Sequence, residues 1–196
     1  MKKRLLCFTM LLTVTISAIT FTNNVKAATK WNTNKSVTKE ENGIKYSAYL
    51  TEDGKESWIY QIKLSKKITK LTLPKEINQA KLTRVGFGKE LYNKGEDEDA
   101  YQNLFGDTIE PWHNCYGDLS NNDKNKQTIE TVAIPGTVNQ LEIATFSGMK
   151  KLKSVVIPEQ TASVPAYTFA KCSALSKVTF SKNMNETDST AFVKSN

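Results

Sequence analysis

One spacing governs this chain. The stretches "IETVAIPGTVNQLEIATFSGMKK" from Ile129, "LKSVVIPEQTASVPAYTFAKCSA" from Leu152 and "LSKVTFSKNMNETDSTAFVKSN" from Leu175 align at a step of 23 residues. Ile129, Leu152 and Leu175 coincide, as do Val132, Val155 and Val178, then Ile134, Ile157 and Phe180. Pro135 matches Pro158, with Ser181 the departure, and Phe146, Phe169 and Phe192 form a further column. A looser copy, "ITKLTLPKEI" from Ile68, places Ile68, Leu71, Leu73 and Pro74 at the same spacing. After Ile77 its register slips, and Val85–Gly86 arrives five residues later than Leu141–Glu142 does after Val138. A fixed period of this length marks a stacked repeat architecture.

The columns dictate local structure. Positions four and six of L-x-x-V-x-I-P lie two apart, so both face one side of an extended strand. Proline then ends the strand, because it cannot donate to a ladder. The chain turns back, and the phenylalanine plugs the far side of the coil. One unit cannot bury its own apolar face, whereas stacked copies share a continuous core. The expected fold is therefore a mostly-β repeat solenoid with one parallel strand per repeat along a single wall.

These columns resemble a known family. Leu152, Val155, Ile157, Pro158, Val164, Thr168, Phe169 and Cys172 look like the BspA-type leucine-rich repeat, and Ala191–Phe192 keeps that family's Ala-Phe pair. The resemblance covers residues 68–86 loosely and 127–196 well. It implies an α/β-type leucine-rich-repeat fold wound as a right-handed coil. It also implies a secreted or cell-surface binding role in bacteria, associated with adhesion and with host or matrix proteins. The family's usual glycine after the second apolar residue is Glu142, Pro165 and Asp188 here, and is met only by Gly86. Few copies and this departure point to a small module rather than a long adhesive array. Cys172 shares its column with Met149 and Ser195, which reads as a small buried core position.

Outside the repeats, residues 1–27 have the plan of a secretory signal peptide: Lys2, Lys3 and Arg4, an uncharged run from Leu5 to Phe21, and Val25 and Ala27 before the cut. The run is short for a membrane span, which needs about 20 apolar residues, and no later segment suffices. Residues 28–41 are polar and read as a flexible leader. Ile44, Tyr46, Ala48 and Leu50, a polar turn, then Trp58, Tyr60, Ile62 and Leu64 read as a β-hairpin. Within 28–67 that hairpin is the natural cap of the first coil. The solenoid then occupies 68–196, with an insertion at 87–126. The last coil is expected to be open, so it caps itself with its polar residues, docks a partner, or pairs with a second copy as a homodimer.

Charge narrows the partners. The full chain is +7, from 27 basic and 20 acidic residues. Removing Lys2, Lys3, Arg4 and Lys26 leaves 23 against 20, or +3, and a single arginine, Arg84. Phosphate recognition needs clustered Lys and Arg, so nucleic acid is not expected. The wall's outward residues alternate with the core columns: Lys70, Thr72, Thr131, Ala133, Ser154, Val156, Lys177 and Thr179. That surface suits a protein or peptide, and it is the expected binding site of a non-enzymatic module. The insertion holds an acidic run, Glu96 to Asp99, and then Trp112, His113, Cys115 and Tyr116. A carbohydrate-binding site remains an alternative, with Tyr101, Trp112, His113 and Tyr116 of the insertion, and Trp58, supplying aromatic surface. A hydrolase built on Cys115 and His113 is a weaker one, since no orienting residue is identifiable. The acidic run lacks the spacing of a calcium loop, and too few ligands exist for zinc, so no metal or cofactor is expected.

Overall fold

The computed structural model describes residues 29–88, 101–102, 104, 108–109 and 124–195. The expected signal segment 1–27 lies outside these residues, as do Trp112, His113, Cys115 and Tyr116 of the insertion. The described chain is mostly β, with parallel strands and only one 3₁₀ turn, Lys126–Thr128, in place of helix.

The repeat strands line up. β4 (Lys70–Thr72), β9 (Thr131–Ala133), β11 (Ser154–Val156) and β13 (Lys177–Thr179) form one parallel sheet in the order β13-β11-β9-β4. Val155 pairs with Val132 on one side and with Val178 on the other, and Leu71 pairs with Val132. The expected columns are thus neighbours in space, and Leu71, Val132 and Val155 are buried. The 23-residue step recurs in the hydrogen bonds. Ser147 Oγ donates to Ala170 O, and Thr161 Oγ1 donates to Val138 O, each across one repeat. Phe146, Phe169 and Phe192 stack with ring centroids 5.6 and 5.4 Å apart and planes within 17° and 9°. The last repeat is open at Phe180, as expected of its end. Phe180 is 44% exposed and meets Phe192 edge-on, because no further coil covers it among the described residues.

The N-terminal part holds the expected hairpin but not the expected leader. β1 (Val37–Glu41), β2 (Ile44–Leu50) and β3 (Glu56–Leu64) make three antiparallel strands. The polar segment thought to be a flexible leader therefore supplies β1 and Trp31, which bridges Thr51. The physical reason is the Asn42–Gly43 pair. Both residues adopt left-handed φ, at 54° and 79°, which is what a two-residue hairpin turn requires. Polarity misled here because β1 is an edge strand, half-buried only at Val37 and Lys39.

The slipped copy also has a local cause. β5 (Glu76–Ile77) and β6 (Ala80–Val85) form a tight hairpin around Asn78 and Gln79, again both left-handed. β6 pairs in parallel with β3 and with β10 (Gln140–Leu141), placing Val85 beside Leu141. The extra residues thus form a hairpin, and the register recovers at Val85. β12 (Ser163–Val164) and β14 (Glu186–Thr187) continue the same corner in parallel.

Two residues of the insertion continue the repeat columns. Leu104 N donates to Thr145 O, as Phe146 N donates to Thr168 O and Phe169 N to Ala191 O. Leu104 is fully buried and so occupies a phenylalanine position one repeat before Phe146. Lys126 stands 23 residues before Met149, in the column that continues through Cys172 to Ser195, and it too is fully buried. β7 (Tyr101–Gln102) and β8 (Thr108–Ile109) form a small antiparallel pair within the insertion.

The lone family-like glycine has a steric duty. Gly86 has φ +116°, and an added Cβ would overlap Thr145 Oγ1 and lie 2.6 Å from Glu142 Cβ. Both obstacles belong to the packed interior of the next coil. Gly86→Ala is expected to lower unfolding free energy by about 2 kcal/mol, through strain and overlap together. Urea denaturation checks this, and an unchanged midpoint would refute it.

Candidate functional site

The wall presents two rows of side chains on one face. Lys70, Thr131, Ser154 and Lys177 are register partners in successive strands, and so are Thr72 with Ala133 and Val156 with Thr179. Strand alternation puts these rows opposite the buried Leu71, Val132 and Val155. Thr131, Ala133 and Ser154 are half-buried, whereas Lys70, Thr72, Val156, Lys177 and Thr179 are exposed. Val156 is 61% exposed, although a β-branched aliphatic at a core position would be covered. The eight expected wall residues therefore lie together on one surface.

The chemistry of that surface is simple. Hydroxyls of Thr131, Ser154 and Thr179 surround Val156, and lysines stand at both outer strands. Such a face can offer hydrogen bonds and one apolar contact, held rigidly by a paired sheet. Below it, Lys153 Nζ meets Glu130 Oε2 at 2.8 Å, and this bond together with the lysine charge draws the Glu130 carboxyl below its usual range. That pair is exposed and screened, so it contributes little to stability.

The aromatic alternative fares differently. Trp58 is fully buried, and its Nε1 donates to Gly86 O at 2.7 Å. It cannot act as a stacking platform, a correction to its place among the candidate carbohydrate contacts. The guanidinium of Arg84 lies 3.7 Å from the Trp58 ring centroid, and Trp31 meets the same indole edge-on at 5.7 Å. Arg84 Nε also donates to Glu142 Oε1 at 2.7 Å, with both side chains largely buried. This pair accounts for a carboxylate in the column where the resembling family has glycine. The sequence carried one signal of it, the unusual Glu142. Tyr101 lies in β7, and Trp112 and Tyr116 lie outside the described residues.

Cys172 is inert. It is fully buried, donates its S–H to Phe146 O at 3.3 Å, and is pushed up to about 12 by burial. Ser195 makes the equivalent bond one repeat later, Oγ to Phe169 O at 2.6 Å. In these two repeats the column thus satisfies the equivalent carbonyl with the small donor present. Among the described residues no three His, Cys, Asp or Glu side chains gather as metal ligands, and no helix is long and apolar enough to cross a membrane.

A family comparison agrees with the repeat strands. The family model described as "BspA type Leucine rich repeat region (6 copies)" matches residues 123–196. That segment is similar to the BspA-type leucine-rich repeat, a kind of repeat that is generally non-enzymatic and suggests protein interaction. Among solved structures, a leucine rich cell surface protein from Faecalibacterium prausnitzii A2-165 aligns at 14% identity and a TM-score of 0.32. The alignment covers 81% of this chain and 46% of that one, so the chain spans less than half of that protein's length. No curated protein matches the chain.

Proposed function

We propose that this protein is a secreted or cell-surface binding module whose four-stranded wall docks a protein or peptide partner, a host or matrix protein being the expected class. In this reading the repeats wind as a right-handed solenoid, and the antiparallel strands β1 to β3 cap its first coil. The observation that carries the reading is Val156, an exposed aliphatic side chain among small hydroxyl residues on a rigid parallel sheet. Lysines at both borders would favour an acidic rim on the partner.

The test is a pull-down from host or matrix extracts with residues 28–196, followed by titration of the captured protein. Val156→Lys and Thr179→Glu each place a bulky charge on the wall without touching the core. Each is expected to weaken binding roughly tenfold or more, with an unchanged circular dichroism spectrum. If affinity survives both changes, the wall is not the site.

A further inference from the structure

The sheet that forms the wall ends at β4, and its free edge opens into a cleft. Thr69 O accepts from Thr131 N, and Leu73 N donates to Ala133 O, so alternate residues of β4 face β9. Lys70 and Thr72 therefore direct their main-chain groups the other way. Tyr46, whose hydroxyl donates to Thr72 O at 3.1 Å, takes one of these. The Lys70 N–H and C=O and the Thr72 N–H face a cleft of about 470 Å³ between β4 and the β1–β2 turn. Ile44, Tyr46, Ile68, Leu73 and Pro74 line it with apolar surface.

An edge with outward donors and acceptors in register is matched by one kind of ligand, an extended backbone. The charges then select its side chains. Glu41 at the rim is compensated by Lys39 Nζ at 3.3 Å. Lys66 and Lys70, also at the rim, are exposed and have no ion-pair partner among the described residues. We propose that this cleft takes an extended peptide with alternating apolar and acidic residues, which adds to β4 as a fifth strand. Its apolar side chains lie over Ile44, Tyr46 and Ile68, and its acidic ones meet Lys66 and Lys70. This inference does not rest on binding at the wall, because it uses the edge of the sheet rather than its face.

The probe is a fluorescein-labelled peptide alternating valine and glutamate, titrated against residues 28–196 by fluorescence anisotropy. A second peptide carries lysine in place of glutamate. The glutamate peptide is expected to bind roughly tenfold more tightly or better. Thr72→Pro removes an outward N–H while leaving the β4–β9 ladder whole, since proline is tolerated on an edge strand facing away from its neighbour. It should abolish the binding with an unchanged circular dichroism spectrum. Val156→Lys should leave it intact, which separates the cleft from the wall. Should Thr72→Pro fail to fold, the double change Lys66→Glu and Lys70→Glu decides, and must invert the preference between the two peptides. Equal binding of both peptides, or undiminished binding by folded Thr72→Pro, overturns the proposal.

Discussion

Phe169→Ala is expected to lower the unfolding free energy by about 4 kcal/mol, the largest loss of any single truncation in the repeats. Phe169 is fully buried and is sandwiched between Phe146 and Phe192, at 5.6 and 5.4 Å. Its removal empties the middle of a three-ring stack, so both neighbours lose a contact face. The cavity cannot close, because the backbone on either side is pinned by Phe169 N to Ala191 O and by Phe146 N to Thr168 O. Phe192→Ala removes a half-buried ring at the end of the same stack and should cost less than half as much. Urea denaturation of both variants measures the difference. Equal losses would mean that the stack does not share its burial as described. A domain's whole stability is about 5–15 kcal/mol, so Phe169→Ala should also bring unfolding close to physiological temperature.

Lys126→Met should stabilise the protein by about 3 kcal/mol at neutral pH. Lys126 sits fully buried in the column of Met149, and burial, with the nearby Lys150 charge adding to it, holds its ammonium group down to about 8 from the ordinary 10.5. The unfolded chain keeps that proton up to the ordinary value, and the folded protein gives it up earlier. Between about pH 8 and 10.5 the unfolded state therefore binds more protons, and stability rises with pH across that window. Below pH 8 the full penalty applies. Methionine removes the penalty and keeps the shape of the column. Thermal unfolding of both proteins should show the variant several degrees higher at pH 7, with the gap closing as pH approaches 10.5. Equal melting temperatures at pH 7 would contradict the assignment of a desolvated amine to this position.

Both predictions rest on columns that the sequence shows, but only the phenylalanine column is plain at every member. Phenylalanine at three positions 23 apart announces itself, because large apolar residues at a fixed step have no other simple cause. Lys126 does not, since a lysine beside a long irregular insertion reads as solvated surface. Its burial beneath Met149 is what the tertiary structure adds. Leu104 is similar. It fills a phenylalanine position from within the insertion, at a sequence distance that no periodicity could reveal.

The wall residues were legible because strand alternation is a local rule. Once Val132 and Val155 face inward, Thr131, Ser154 and Val156 must face outward. The free edge of β4 was not legible. Which edge stays open depends on where β1 to β3 attach, and they pair with β6 rather than with β4. The Arg84–Glu142 pair, 58 residues apart in sequence, depends on the same attachment.

The sequence by itself determined the repeat step, the inward columns, the parallel strands and the outward face they imply. All of these follow from short-range periodicity, which every copy restates. The tertiary structure alone decided that the polar N-terminal stretch is a strand, that a hairpin absorbs the slipped register, and that Leu104 fills a phenylalanine position. Those outcomes depend on contacts between segments far apart in the chain, where burial is shared between partners that no single stretch specifies.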